Sequence, residues 1–284
     1  MGRVVQQAWR ARHPPRAPVH GAIRVVRALA QTLAIELMSK GPLQSDNLCA
    51  VIVGNGAVGN ALCEALLALE NTRSVALLGR HVEPWDDERV VPLFVDALEP
   101  DSIAAAALAL EERVPCVQVL INTVGVLHWD KYLPEKRLRD LDTAPALEAF
   151  QINALFPALL ADAFGSLVRK GQPGIFASLS ARVGSISDNQ LGGWYSYRAS
   201  KAAQNMLLRT IAREWSISHR ETIVVALHPG TVESRLSAPF VSANYPNRVL
   251  QPAECAAALL KVIGALDASD SGTFLDWQGK AIPW

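Results

Sequence analysis

From position 48 onward, short runs that are almost wholly apolar alternate with longer stretches in which apolar residues return every three or four positions. The short runs fall at 48–53, 74–78, 90–95, 117–121, 174–179, 222–227 and 272–275. Runs of this length with no polar face read as strands buried on both sides, as in a parallel sheet. The longer stretches, at 60–67, 99–113, 144–168, from Trp194 to about Trp215, and at 252–266, carry the period of helices packed by one face. Such alternation implies right-handed crossovers and an α/β domain on one doubly wound parallel sheet. Ligands of these sheets sit at the carboxyl ends of the strands, so the residues there are the candidates for chemistry.

The first strand runs into Gly54-Asn55-Gly56-Ala57-Val58-Gly59 and then a helix. In that context the glycines of G-x-G-x-x-G let the backbone turn tightly and approach a pyrophosphate, which faces the unpaired N–H groups of the helix start. The second strand ends in Gly79-Arg80, where an adenosine ribose would lie. An acid there would accept from the ribose 2′-hydroxyl, whereas an arginine suits a 2′-phosphate, so Arg80 favours NADP over NAD. Asp96 closes the third strand and Asn122 the fourth, with Gly125 three residues on; Ser180 stands at the end of the fifth.

Tyr197 and Lys201 are four apart on the helix after strand five, so both point to one side. A free phenol has a pKa of about 10, and one ammonium at about 4 Å in a partly screened site contributes roughly 4 kcal/mol, enough to bring it towards neutrality. The same spacing also arises by chance on solvated helix faces, and its company decides its meaning. Asn153 lies among apolar neighbours within 144–168, where an Asn marks either a surface position or a bond to backbone.

Composition narrows the partners. The 284 residues include 27 Lys plus Arg against 27 Asp plus Glu, so no charge excess favours nucleic acid or an anionic membrane. No apolar run in the body approaches the roughly 20 residues of a membrane span. Cys49, Cys63, Cys116 and Cys255 lack metal-site spacing and read as buried thiols in a reducing, cytoplasmic compartment; no metal site is expected. Residues 1–47 form an Arg-rich extension, with six arginines before the first acid, Glu36. It reads either as a transit-like segment or as sequence upstream of a true start at Met38, and the second reading is preferred.

The glycine loop, Asn122-x-x-Gly125, Asn153, Ser180, Tyr197-x-x-x-Lys201 and Pro229-Gly230 stand in the order and rough spacing of the short-chain dehydrogenase/reductases. The stretch from Gly184-Ser185-Ile186 through Gly192-Gly193-Trp194-Tyr195-Ser196-Tyr197-Arg198-Ala199-Ser200-Lys201, with His228-Pro229-Gly230-Thr231-Val232, most resembles the C-factor-like and sniffer-type carbonyl reductase branch. The resemblance implies one Rossmann-type domain over 48–284 with about seven strands, a nicotinamide cofactor, and hydride transfer to or from a carbonyl carbon. By it, Tyr197 is the acid that protonates the carbonyl oxygen, and Lys201 lowers its pKa and holds the nicotinamide ribose. Asn153 anchors a proton-supplying water, Asn122 and Gly125 shape the adenosine side, and Pro229, Gly230, Thr231 and Val232 line the nicotinamide. Two departures stand out. The glycine loop is one residue shorter than the family's. The family's substrate-binding serine stands three residues before a glycine, and counting back from Gly184 gives Ala181, so Ser180 takes the role only by a small backbone shift, or Ser185 takes it.

The function expected is an NADP(H)-dependent reductase of aldehydes or ketones. The alternative is an NADP-binding regulatory or signalling protein of the C-factor type. An α/β hydrolase is disfavoured because no G-x-S-x-G follows a strand. The wide apolar arc on the helix of Tyr197, formed by Ala202, Ala203, Met206, Leu207, Leu208, Ile211, Ala212 and Trp215, points to a homodimer or homotetramer.

Overall fold

A computed structural model describes residues 41–129, 132–168 and 173–284. Its centre is a seven-stranded parallel sheet of β1 (Leu48–Val53), β2 (Thr72–Gly79), β3 (Val90–Phe94), β4 (Val119–Asn122), β5 (Gly174–Leu179), β6 (Thr222–His228) and β9 (Thr273–Asp276). Two short strands, β7 (Thr231–Val232) and β8 (Val249–Leu250), pair separately. The order β3-β2-β1-β4-β5-β6-β9 reverses between β1 and β4, which opens the crevice where doubly wound sheets take ligands. The Rossmann-type expectation therefore holds, strand by strand, with boundaries moved by one or two residues.

Among the described residues six helices cover the sheet: α1 (Ala57–Leu67), α2 (Pro100–Glu111), α3 (Thr143–Phe150), α4 (Phe156–Phe164), α5 (Tyr195–Ser218) and α6 (Pro252–Ala265). Alternation along β1 shows how the layers divide. Leu48, Ala50 and Ile52 pack on one side with Leu62 and Leu66 of α1 and Leu259 and Ile263 of α6. Cys49, Val51 and Val53 face the other, among Ile103 of α2, Phe156 and Phe164 of α4, and Leu208 and Trp215 of α5. α6 starts where the sequence says it should, with Pro252 in its first turn and a Gln251–Glu254 capping box.

The expected helix at 144–168 is two helices joined by a π turn over Gln151–Leu155. A π turn inserts one residue and so rotates the face of the second helix by about 100° relative to the first. Only Ala149 of α3 is buried, while Phe156, Leu160, Ala161 and Phe164 of α4 enter the core. Among the described residues Thr143–Phe164 has the length and apolarity of a membrane span, with mean hydropathy 1.2. Its composition has a simpler cause, because α4 packs on α2 and α5 and α3 packs on α5.

Met38 and the Arg-rich start lie outside the described residues. Of the extension drawn to position 47, the described part packs on the domain: Leu43 joins the core, and Asn71 Nδ2 donates to the carbonyls of Leu43 and Ser45 at 2.8 and 2.9 Å. All four cysteines are buried, and none is in a disulfide.

Candidate active site

The glycine loop separates into glycines that the protein needs and one that it does not. A side chain at Gly59 would lie 1.7 Å from the Gly54 carbonyl oxygen, and one at Gly54, where φ is +103°, would lie 2.5 Å from Thr123 Oγ1. A side chain at Gly56 would meet nothing within 4 Å. Gly56 is also where α1 begins, without a side-chain cap and without an acid in the first turn, so the helix presents unpaired N–H groups beside open space. Val58 packs against the core as part of the same turn.

Asn55 ties this loop to β2. Its Nδ2 donates to the His81 carbonyl at 2.5 Å, and its Oδ1 lies over Gly79, where a Cβ would come within 2.4 Å. Arg80 is exposed beside it and joins no ion pair among the described residues. Asp96 is half-buried, with Oδ1 accepting from the Leu98 N–H at 3.0 Å at the entrance to α2.

Asn122 is fully buried, its Nδ2 donates to Ser178 Oγ at 2.9 Å and its Oδ1 accepts from the Val124 N–H at 3.1 Å, so its side chain bridges β4 and β5. The bridge continues towards the site. Gln204 Nε2 also donates to Ser178 Oγ, at 2.8 Å, and Gln204 Oε1 accepts from Lys201 Nζ at 2.8 Å. Lys201 Nζ donates again to the Leu179 carbonyl at 3.0 Å. Two of the ammonium's three donors are thus fixed by protein, leaving one. Gly125 and Gly184 let this side chain pass: a Cβ at Gly125 would sit 3.1 Å from Nζ, and one at Gly184 2.8 Å from the Lys201 Cβ.

Tyr197 and Lys201 are both buried on α5. Burial pushes the Tyr197 phenol well above its usual range and pulls the Lys201 ammonium down to about 7. Removal from water disfavours the charged form of each, so in the protein alone the two pKa values move apart. Asn153 sits in the π turn with its amide committed: Nδ2 donates to the Val126 carbonyl at 2.8 Å and to Ser200 Oγ at 3.0 Å, and Oδ1 accepts from the Val126 N–H at 2.8 Å.

The Ser180 hydroxyl donates to Asn205 Oδ1 of α5 at 2.7 Å. Ser185 is buried and its Oγ accepts from the Asp188 N–H at 3.2 Å. Ala181, the residue the spacing points to, brings no hydroxyl. On the far side, the Pro229 carbonyl accepts from the Cys255 thiol at 3.5 Å, Gly230 takes φ +78° against Trp277, Thr231 Oγ1 bonds Tyr245 Oη at 2.8 Å, and Val232 is buried.

Glu135 is a residue that the sequence analysis does not single out. This carboxylate is 2% exposed and accepts from Tyr132 Oη at 2.7 Å, from the Ser196 N–H at 3.2 Å, and from the Ser196 hydroxyl. Burial raises its pKa, and the bonds from Ser196 and Tyr132 outweigh that and hold it below the usual carboxylate range. The one available signal was negative: Trp194, before the first helical residue, has no side chain that caps α5. Trp194 itself has φ 51° and ψ 46°, a left-handed conformation that costs a bulky residue about 1–2 kcal/mol.

The open space at the start of α1 and the buried Tyr–Lys pair both lie beyond the carboxyl ends of the sheet strands. The chain belongs to the short chain dehydrogenase family, whose model matches residues 48–244. C-signal of Myxococcus xanthus is 35% identical over 169 residues, 59% of this chain and 93% of that protein. The NADPH-bound carbonyl reductase from chicken fatty liver superposes with a TM-score of 0.74 at 25% identity, over 87% of this chain and all of that one. The carbonyl reductase Sniffer of D. melanogaster shares the fold, with a TM-score of 0.73 at 22% identity over 84% and 99% of the two chains.

Lys201 makes stability depend on pH. Its pKa falls on folding, so between about 7 and 10.5 the unfolded chain binds more protons and stability rises with pH. The burden is full below about 7 and is lifted as the unfolded ammonium titrates. Replacing Lys201 by Met removes that dependence. The melting temperature of Lys201→Met relative to the parent should be most favourable near pH 6 and decline by several degrees towards pH 10; a flat difference would mean that the ammonium is solvated.

Proposed function

We propose that the protein is an NADP(H)-dependent reductase of aldehydes or ketones. The observation that carries this reading is the buried Tyr197–Lys201 pair, whose protonation suits reduction. The residues present fit a dinucleotide: the space at Gly56 accommodates a pyrophosphate against the N–H groups of α1, and no side chain of the protein accounts for the glycine there. Arg80, exposed and unpaired by any acid among the described residues, would pair with a 2′-phosphate. When bound, the nicotinamide supplies the hydride that goes to the carbonyl carbon.

The chain's own residues handle the proton. Burial keeps the Tyr197 phenol protonated at neutral pH, the form needed to donate to a carbonyl oxygen as negative charge develops there. The remaining donor of Lys201 would hold a ribose hydroxyl, and the oxygens so gathered restore the ammonium and couple it to the phenol. Because the Asn153 amide is already bonded, a proton-supplying water would rest on its backbone carbonyl, which a π turn moves out of the α-helical ladder. With the Ser180 proton committed to Asn205, Tyr197 is the group that would donate to the carbonyl oxygen.

That committed hydroxyl favours a second reading, a nucleotide-binding regulatory protein with little turnover, and the similarity to C-signal supports it. The four cysteines, none in a disulfide, suit a cytoplasmic, reducing setting under either reading. Leu147, Leu155, Leu159 and Met206, exposed on the adjoining α3, π turn, α4 and α5, support a homo-oligomer through these helices. Sedimentation at micromolar concentration should give twice or four times the chain mass; a monomer would remove the interface.

Arg80→Ala should weaken NADP(H) by about 10-fold or more, the worth of a charge-assisted bond, and leave NAD(H) unchanged. Titration of both cofactors reads this directly, and an unchanged ratio would overturn the role of Arg80. Tyr197→Phe should lower turnover of a carbonyl panel by about 10²-fold or more while NADPH binding stays as in the parent. A parent that binds NADPH yet reduces nothing in the panel would move the conclusion to the regulatory reading.

A further inference from the structure

Three left-handed residues in succession lead into α5, and the sequence supplies glycine at only two of them. Gly192 and Gly193 adopt φ +63° and +65° without a side-chain penalty, but the third position carries an indole. Strain of this kind persists where the surroundings over-determine it. Here the Trp194 N–H donates to the Glu135 carbonyl at 2.5 Å, and the Arg198 guanidinium holds the Gly192 carbonyl from Nε at 3.2 Å and from Nη2 at 3.1 Å, and the Gly193 carbonyl at 3.0 Å. A third glycine would satisfy the same backbone with no strain. It would lack the indole.

That indole meets two other rings. It stands edge-on to Tyr197 with centroids 6.1 Å apart and edge-on to Phe240 with centroids 5.0 Å apart. Phe240 belongs to the segment between β7 and β8, and His128, from the loop after β4, meets it at 5.6 Å. His128 Nε2 lies 3.2 Å from the carbonyl oxygens of both Arg235 and Leu236, so that nitrogen is the protonated donor that holds this segment in place. Trp194, Phe240 and His128 are all half-buried, and beneath them Tyr197 is 8% exposed. A carbonyl that receives the Tyr197 proton must bring its oxygen within about 3 Å of the phenol oxygen. Its carbon substituents then fall in the space that the indole and the Phe240 ring close off.

We propose that Trp194 and Phe240 are the specificity-determining pair of the reductase, two apolar ring walls against which the substrate's own flat group packs. This rests on the reading of the site as a carbonyl reductase. An aldehyde or ketone joined to a planar, conjugated ring meets the indole as Phe240 does, edge to face or offset-stacked. A polyhydroxylated or charged chain would instead lose water against apolar rings that return no hydrogen bond. His128 acts through Phe240 and is a positioning residue.

Benzaldehyde and cyclohexanecarbaldehyde share a carbon skeleton and differ in flatness, so the ratio of their kcat/KM values with NADPH reads the wall. In Trp194→Leu that ratio should fall by about 2- to 10-fold relative to the parent, the range one aromatic pair spans, chiefly through the KM of benzaldehyde. Trp194→Phe, which keeps a flat ring, should retain most of the ratio, and an unchanged NADPH Kd shows that both variants are folded. A parent that reduces both aldehydes while Trp194→Leu leaves the ratio within about twofold overturns the pair's role and leaves the reductase reading standing. A parent that binds NADPH and reduces neither aldehyde overturns that reading, and this inference falls with it.

Discussion

The helix that carries Tyr197 and Lys201 begins on a residue that cannot cap it, and the charge that does so comes from Glu135, some sixty positions earlier. A carboxylate against the unpaired N–H groups of a helix start is worth up to about 2 kcal/mol in a partly buried setting. It also fixes direction. The Ser196 amide and hydroxyl both end on Glu135, and Tyr197 is the next residue, so the first turn of α5 cannot rotate without leaving a buried carboxylate short of donors. The loop after β4 is held by the same carboxylate through Tyr132, and the Glu135 backbone carbonyl adds a bond from the Trp194 N–H. One buried anion therefore registers the helix of the Tyr–Lys pair against the loop that passes above it.

A second constraint works from below. Asn122, Ser178, Gln204 and Lys201 form a continuous chain of hydrogen bonds from the middle of the sheet to the ammonium. The chain explains how a lysine stays buried at all, and why β4 and β5 carry polar residues near their ends where their neighbours are apolar. The expected lowering of the Tyr197 pKa by Lys201 is not a property of the protein alone, since burial acts on both groups in the direction of neutrality.

The sheet was legible because a strand buried on both faces leaves a run with no polar period, and seven such runs with helical stretches between them admit few topologies. The glycine loop, Tyr197 and Lys201 were legible because spacing along one element fixes their relative placement. The features that escaped depend on contacts between elements. Asn153 was seen as an oddity in a helix, but the π turn that places it also reaches across to the backbone of Val126. Ser180 stood out by its strand end, but its partner, Asn205, lies 25 positions on in α5. Asn122 stood out in the same way, and only the register of β4 against β5 shows it paired with Ser178. Trp194 could not be foreseen as left-handed, because nothing in a tryptophan favours that conformation.

Gly56 carries a consequence of its own. Its neighbours Gly54 and Gly59 are required by the polypeptide itself, and a side chain at either collides with the protein. At Gly56 a side chain would meet no atom of the protein within 4 Å, and under the proposed reading the group it would meet is the pyrophosphate. A replacement there meets no packing clash, so under that reading a screen that scores only folded protein would miss the loss of the ligand. Folding and purpose are separable at a single glycine.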